Sequence, residues 1–186
     1  MGVLVVNAGS SSIKIAVFDE DVAEVASGRV TEIGGAARVE VGDLRGARVV
    51  PDHAAALALC LEALAEQGWG LDRLTAAAHR VVHGGAGLVA PCRVTPKVLA
   101  GIEAVVPLAP LHNPANLTAM RALGRLAPEL PQYASFDTAF HATNPAVAVR
   151  YALPPEAEAM GLRRYGFHGI SYAGLVRSLG ERLPER

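Results

Sequence analysis

Short apolar runs fill the first fifty residues of the chain, and small polar or glycine-bearing turns separate them. These runs are rich in β-branched residues and partly alternate, which predicts strands. The first two flank the short segment AGSSS and should form a hairpin. The group predicts an antiparallel sheet, with strands at residues 3–6, 13–18, 24–31, 38–41 and 47–50.

Four later stretches repeat apolar residues at helical spacing, and three of them begin at a capping signal. Asp52 is expected to cap the first helix, Thr95 with Pro96 opens the second, and Asn113 with Pro114 opens the third in the same way. Strands at residues 76–82 and 133–136 alternate with these helices, and the last helix covers about residues 170–183. This order predicts a mixed α/β domain.

Composition excludes several classes of function. The formal net charge of -1 gives no electrostatic argument for binding nucleic acid or an anionic membrane. No stretch approaches the roughly 18 to 20 apolar residues of a membrane span. The two cysteines, Cys60 and Cys92, have no CxxC spacing, which argues against a disulfide scaffold or a zinc site. We therefore expect a cytoplasmic protein that binds small molecules or protein partners.

The turn of the first hairpin is a candidate anion site. Gly9 permits close approach to the backbone, and Ser10, Ser11 and Ser12 supply hydroxyl and amide donors at the tip. The alternative is an ordinary solvated turn, since small polar turns are common.

Two further polar stretches lie at the ends of predicted elements. In HRVVHGG, Arg80 has the planar donor fork that suits a carboxylate or a phosphate. The alternative is that Arg80 and His83 are surface residues at a strand end. In PLAPLHNPANL, His112 stands just before a helix, where Asn113 could be no more than a cap.

Two more stretches place a carboxylate and a histidine at element ends. FDTAFH puts Asp137 at the carboxyl edge of the sheet, where open α/β sheets bind ligands, although Asp137 could equally cap the next turn. RRYGFHGISY puts His168 between Gly166 and Gly169 at a helix start, a position that favours an anion. Taken alone, His168 could be a structural histidine.

Six motifs in this order resemble the amino-terminal half of the acetokinase family, within the acetate and sugar kinase, Hsp70 and actin superfamily. They are VLVVNAGSSSIK, HRVVHGG, PLAPLHNPAN, FDTAFH, YALP and RYGFHG. The resemblance implies an α/β fold of the ribonuclease H-like (actin-type ATPase) kind with βββαβαβα topology. It makes residues 1–150 the amino-terminal domain and residues 151–186 the truncated start of a second domain of the same kind, with the active site between the two.

The resemblance also implies a reaction, the transfer of a phosphoryl group between ATP and acetate to give acetyl phosphate and ADP, with Mg2+ or Mn2+. The roles it implies are metal binding for Asn7; binding of the nucleotide phosphates for Ser10, Ser12 and Lys14; catalysis for Arg80, Asp137 and His168; and acetate binding for Arg80, Val82, Leu111, His112 and Phe167. Acetate is already ionised at neutral pH and needs no general base, so Asp137 is expected to orient Arg80 or metal-bound water.

Two departures from the family pattern change these expectations. The helix after His168 reads GISY where the family has GTSH, so Ile170 and Tyr172 replace two polar positions. The sequence also stops at Arg186, before the carboxyl half that would supply the adenosine pocket, an arginine and a glutamate. Residues 1–186 alone are therefore expected to be inactive, and the full-length enzyme is expected to be a homodimer.

Two other functions stay open. A propionate or butyrate kinase would need a wider pocket than Val82, Leu111 and Phe167 suggest, and butyrate kinases carry PGST in the hairpin. The chain could also be a non-catalytic module that binds acyl or phosphate ligands, or a partner chain.

Overall fold

A computed structural model describes residues 1–183 and contains one eight-stranded mixed sheet. The strands are β1 (Gly2–Gly9), β2 (Ser12–Phe18), β3 (Glu24–Thr31), β4 (Gly35–Val41), β5 (Leu44–Val50), β6 (Leu74–Val81), β7 (Cys92–Arg93) and β8 (Gln132–Phe136). Their order in the sheet is β5-β4-β3-β2-β1-β6-β8-β7. Strands β1 to β5 are antiparallel neighbours, whereas β1, β6 and β8 run parallel.

The strand predictions are confirmed, with one omission. Each of the seven predicted strands corresponds to a strand of the sheet, and the first two form the expected hairpin. Strand β7 was not predicted, because two residues are too few to produce a pattern. It pairs antiparallel with β8 at the edge of the sheet, with Cys92 opposite Ala134.

The helices are α1 (His53–Glu66), α2 (Pro96–Ala104), α3 (Asn113–Leu126), α4 (Ala146–Val149), α5 (Pro155–Ala159) and α6 (Gly169–Arg182). Two of the predicted caps are confirmed. Asp52 Oδ1 accepts a hydrogen bond from Ala55 N at 2.8 Å, and Thr95 Oγ1 accepts one from Val98 N at 3.3 Å. Helix α2 ends at Ala104, and residues 106–108 then form a 3-10 turn around Pro107.

The cap predicted for α3 is wrong. Asn113 is the first residue of the helix and is fully buried, and His112 precedes it without a capping side-chain bond. The side-chain amide of Asn113 instead bonds the backbone of His83. Its Oδ1 accepts a hydrogen bond from His83 N at 3.2 Å, and its Nδ2 donates one to His83 O at 3.0 Å. The helix start is therefore fixed to the loop after β6.

The main core lies between the sheet and helices α1 and α3. Alternate residues of β1 are buried, as the pleat of a strand requires, and they point toward apolar residues of α1. Cys60 lies in this core, and burial raises the pKa of its thiol to about 12. A second cluster, around Phe136 and Met120, packs α2 and α3 against β6 and β8.

Helix α6 starts against the carboxyl end of β8 and then leaves most of its apolar side chains exposed. The exposed ones are Ile170, Tyr172, Leu175, Val176, Leu179 and, just beyond the helix, Leu183. Within residues 1–183, none of the helices combines the length and the apolar character that crossing a membrane requires. The division at residue 150 stays a prediction, and residues 184–186 of the proposed second domain lie outside the described residues.

Candidate active site

A cavity of about 370 Å3 opens at the carboxyl ends of β6 and β8, and we call it the Arg80 cavity. It collects all the residues for which the family resemblance implies catalysis or acetate binding. Its lining consists of Arg80, Val82, Leu108, Ala109, Pro110, Leu111, His112, Asp137, Phe167 and His168. These residues come from four separate stretches of the chain. The parallel alignment of β6 and β8 explains the meeting of Arg80 and Asp137, since parallel strands end at the same edge.

Arg80 is held by two side chains at the base of this cavity. Its Nε and Nη2 donate to Asp137 Oδ2 at 3.0 and 2.6 Å, and its Nη1 donates to Asn7 Oδ1 at 3.2 Å. The Asp137 side chain is 2% exposed, whereas that of Arg80 is 34% exposed. The cap alternative for Asp137 is therefore wrong, because its side chain bonds Arg80 and the following turn has no side-chain cap. The surface alternative is wrong for His83, which is 1% exposed, whereas Arg80 stays partly exposed. The geometry fits a carboxylate that orients the arginine.

His168 is the residue just before α6, and it lines the Arg80 cavity. Its φ of +58° lies in the left-handed region, which non-glycine residues adopt infrequently. The next residue, Gly169, donates its N–H to the Asp137 carbonyl at 2.9 Å, and a Cβ there would collide with that oxygen. A glycine is thus required for α6 to start directly on β8, and this contact sets the position of His168.

Apolar side chains flank the ion pair without being buried. Leu111 is 72% exposed and Phe167 is 42% exposed, and both line the cavity beside Val82. An apolar surface next to a cation suits a ligand with a small hydrocarbon part and a carboxylate.

The tip of the first hairpin is anchored from behind by two helices. His53 Nε2 donates to Gly9 O at 2.6 Å, because a carbonyl oxygen can only accept. Asn116 Nδ2 donates to Ala8 O at 2.7 Å. Ser10 is exposed at the tip. Neither Ser10 nor Ser12 lines the Arg80 cavity, so the structure does not bring these two serines together with the catalytic candidates.

A second, larger cavity of about 550 Å3 lies over the polar face of the antiparallel strands. Asn7 and Lys14 both line this Lys14 cavity, and they are directly paired across β1 and β2. Asn7 also bonds Arg80, so it connects the two cavities. Lys14 thus lies one strand away from the residue that contacts Arg80.

Asn116 and His83 contact lining residues of the Arg80 cavity, and the sequence analysis gave neither of them a role. Asn116 Oδ1 accepts from Val82 N at 3.2 Å, so its amide joins the residue after β6 to the hairpin. His83 is 1% exposed, and burial lowers its pKa. Its ring lies against those of Tyr165 and Phe167, with centroids 4.5 and 5.7 Å away. The sequence signal for Asn116 was that two asparagines, Asn113 and Asn116, are spaced i and i+3 on the buried face of α3.

The residues described here offer few ligands for a metal ion. Among residues 1–183 no group of three or more His, Cys, Asp or Glu side chains is arranged to hold one. Mg2+, however, is usually bound through one or two protein oxygens together with substrate phosphates and water. The Asn7 Oδ1 atom has a second lone pair besides the one that Arg80 uses, so it fits as a single ligand.

The two departures from the family motif have different surroundings. Tyr172 stacks on Phe140, with ring centroids 5.9 Å apart, and its ring meets His141 edge-on at 5.8 Å. Ile170 remains 40% exposed. Tyr172 therefore belongs to an aromatic cluster with Phe140 and His141.

Sequence comparisons relate this chain to known acetate kinases. The chain is 47% identical over 201 residues to acetate kinase of Streptomyces griseus and 47% identical over 192 residues to that of Streptomyces avermitilis. These alignments cover 98% and 97% of this chain but 48% and 47% of the relatives, so the chain spans about half their length.

Solved structures give the same result. The acetate kinase of Porphyromonas gingivalis matches with a TM-score of 0.89 and 35% identity over 98% of this chain and 49% of that one. A propionate kinase from Francisella tularensis matches with a TM-score of 0.89 and 31% identity over 100% and 50%. These neighbours confirm the actin-type ATPase fold. The family model of the Acetokinase family matches residues 2–185, and the chain belongs to that family.

Proposed function

We propose that this chain carries the amino-terminal half of an active site that transfers a phosphoryl group between ATP and acetate, giving acetyl phosphate and ADP. The observation that carries the proposal is the Arg80 cavity, in which an oriented arginine stands beside exposed apolar side chains. The acetate kinases that match this chain support the same reaction. In the cell this chemistry would serve acetyl-CoA biosynthesis.

Acetate would bind with its carboxylate on Arg80 and its methyl group against Val82, Leu111 and Phe167. His112 lines the same side of the cavity. The acetate oxygen attacks phosphorus without losing a proton, because the acid is ionised at neutral pH. Catalysis then consists of alignment and charge neutralisation, which are the main contributions of a protein to phosphoryl transfer.

Arg80 and His168 would stabilise the negative charge on the transferred phosphoryl group. Asp137 would keep the guanidinium fork in one orientation, since both of its short bonds go to Arg80. Asp137 is thus proposed as a positioning group and not as a proton acceptor.

ATP, the co-substrate, would place its phosphates along the first hairpin. Ser10, Ser12 and Lys14 would contact these phosphates through hydroxyl, backbone and ammonium donors. Asn7 would supply one oxygen to Mg2+ or Mn2+, which neutralises phosphate charge when it is bound.

The rest of the site would come from a carboxyl-terminal half. The proposed division places residues 1–150 in the first domain and residues 151–186 at the start of the second. The complete enzyme would work as a homodimer in the cytoplasm. Residues 1–186 alone would not turn over ATP, because one side of the cleft that excludes water and aligns the reactants would be missing. Regain of activity on adding a separately made carboxyl half would support this division.

Propionate is the second candidate substrate, since a propionate kinase matches this chain as closely in structure as an acetate kinase does. The test is a series of acetate, propionate and butyrate assayed with the complete enzyme under identical ATP and Mg2+ concentrations. The small apolar set beside Arg80 predicts the highest kcat/KM for acetate. A higher kcat/KM for propionate would reassign the substrate, and absence of acyl phosphate from all three acids would overturn the proposed reaction.

A further inference from the structure

A third cavity, of about 200 Å3, is lined by residues 163–166, just before Phe167 in the chain, and we call it the Arg163 cavity. It shares no lining residue with the Arg80 cavity. It is lined by Gly85, Ala86, Val89, Thr138, His141, Ala142, Arg163, Arg164, Tyr165 and Gly166. Two arginines and a histidine are thus present without any aspartate or glutamate in the lining.

Aromatic rings, and not carboxylates, hold the two arginines. The Arg163 guanidinium lies over the ring of Tyr165, 5.1 Å from its centroid, and that of Arg164 lies 5.7 Å from the ring of Tyr151. Neither arginine forms an ion pair within the part of the chain that the structure describes. Stacking on a ring fixes the guanidinium plane but leaves its positive charge uncancelled.

Hydrogen-bond donors around this cavity also lack acceptors. The Arg163 Nε–H is buried and has no hydrogen-bond partner among residues 1–183. A buried donor without an acceptor carries a free-energy penalty that a bound anion could relieve. Thr138 is 5% exposed, and its Oγ1 accepts from Gly84 N at 3.0 Å, which leaves the hydroxyl hydrogen to donate.

We propose that the Arg163 cavity binds a second oxyanion of the phosphate class, separate from the reacting phosphoryl group. Arginine guanidinium forks are suited to phosphate oxygens, and a volume of about 200 Å3 corresponds to roughly seven water molecules of about 30 Å3 each. The site goes beyond the proposed reaction, because none of its lining residues takes part in that reaction. His141 Nε2 donates to Phe167 O at 3.0 Å, so the cavity wall is bonded to the segment that ends at His168.

The test is a titration of the 15N-labelled chain with inorganic phosphate, followed by the amide resonances of Gly85, Thr138 and Gly166. We expect saturable shifts at these amides, and we expect them to persist in Arg80→Ala, which removes the arginine of the proposed active site. Arg163→Gln and Arg164→Gln should each weaken the apparent affinity at least tenfold. Arg125→Gln changes an exposed arginine of α3 that lines neither cavity, and it should leave the affinity unchanged.

Three results would overturn the proposal. Shifts confined to the hairpin and Arg80 would leave only the proposed active site as a phosphate site. Undiminished shifts in both Arg163→Gln and Arg164→Gln would show that the arginines do not bind the ion. Acetate binding as tight as phosphate binding in Arg80→Ala would contradict the phosphate class. If Arg163→Gln fails to fold, Arg164→Gln decides the question alone, and the acetate kinase assay tests the proposed function separately.

Discussion

A single oxygen of Asp137 receives both hydrogen bonds that Arg80 sends to this carboxylate. Arg80 Nε and Nη2 lie 3.0 and 2.6 Å from Oδ2. The other carboxylate oxygen is not engaged by Arg80, and the third guanidinium nitrogen, Nη1, reaches Asn7 instead. The guanidinium plane is therefore fixed from two directions, so the partly exposed arginine points into the cavity before any ligand arrives.

Replacing Arg80 should remove most of the activity of the complete enzyme. We expect Arg80→Ala to lower kcat/KM by about 100-fold or more, because a preoriented cation stabilises charge that develops in the transition state. Arg80→Lys keeps the charge but lacks the planar fork, and it should recover only part of the loss. Acetyl phosphate formation at saturating ATP measures the effect. Unchanged kinetics in a folded Arg80→Ala protein would refute the role.

Replacing Asp137 should cost both stability and activity. Asp137→Ala leaves Arg80 in a partly buried position without its anion, and we expect a loss of about 1–3 kcal/mol in the free energy of unfolding. The control is Glu103→Ala, which breaks the exposed Arg121–Glu103 pair and should cost at most about 0.5 kcal/mol. Urea unfolding of the chain compares the two. Equal losses in the free energy of unfolding for Asp137→Ala and Glu103→Ala would mean that burial does not make the Asp137 ion pair more stabilising than an exposed pair.

The strands could be predicted from the sequence because they depend on local patterns, whereas the assembly of the Arg80 cavity was expected from the resemblance to the acetokinase family. Alternation and turn residues mark the strands of the antiparallel group. Arg80 lies near the carboxyl end of one predicted strand and Asp137 directly follows another, and parallel strands bring their carboxyl ends together. The pairing of the two residues therefore follows from topology once the order of elements is known.

The roles of Asn113 and Asn116 could not be predicted from the same patterns. An asparagine before a proline at a helix start has the sequence of a cap, and propensity cannot distinguish a cap from a buried clamp. The difference depends on His83 and Val82, which lie some 30 residues away in sequence and whose backbone groups need partners after β6 ends. The two-residue strand β7 could not be predicted for a related reason, since only its pairing with β8 defines it.

His79 should make the chain less stable in mild acid. Burial lowers its pKa to about 4 from the ordinary value of 6.5, and the Gln132 amide is best placed with its nitrogen donating to His79 Nε2 at 2.8 Å. Between about pH 6.5 and pH 4, His79 is therefore protonated in the unfolded chain but neutral in the folded chain. The contribution of neutral His79 to the free energy of unfolding is complete above about pH 6.5. It is lost as the pH falls toward 4, which lowers the free energy of unfolding by up to about 3 kcal/mol.

The measurement for His79 is the free energy of urea unfolding between pH 7.5 and pH 4.5, compared with His79→Gln. The variant cannot titrate, so its stability should fall less steeply over this range even if its value at pH 7.5 is lower. Parallel pH profiles for the two proteins would contradict a buried neutral imidazole at this position.

Asn116 should couple the stability of α3 to the positions of the hairpin and the Arg80 strand. Asn116 is 2% exposed, and Asn116→Ala removes the hydrogen-bond donor to Ala8 O and the acceptor for Val82 N. We expect a loss of about 2–4 kcal/mol in the free energy of unfolding, since each unsatisfied buried group costs about 1–3 kcal/mol. Thr118→Val is the matched control on the same helix, because within residues 1–183 the exposed Thr118 hydroxyl bonds only Pro114 O of its own turn.

The kinetic consequence separates a positioning role for Asn116 from a purely structural one. If Asn116 sets the hairpin relative to Arg80, the complete Asn116→Ala enzyme should show a raised KM for ATP and a lowered kcat at a temperature where it remains fully folded. Asn116→Asp keeps the acceptor for Val82 N but loses the donor to Ala8 O, so the ATP effect should persist in it. Wild-type kcat and KM in both folded variants would show that Asn116 contributes stability alone.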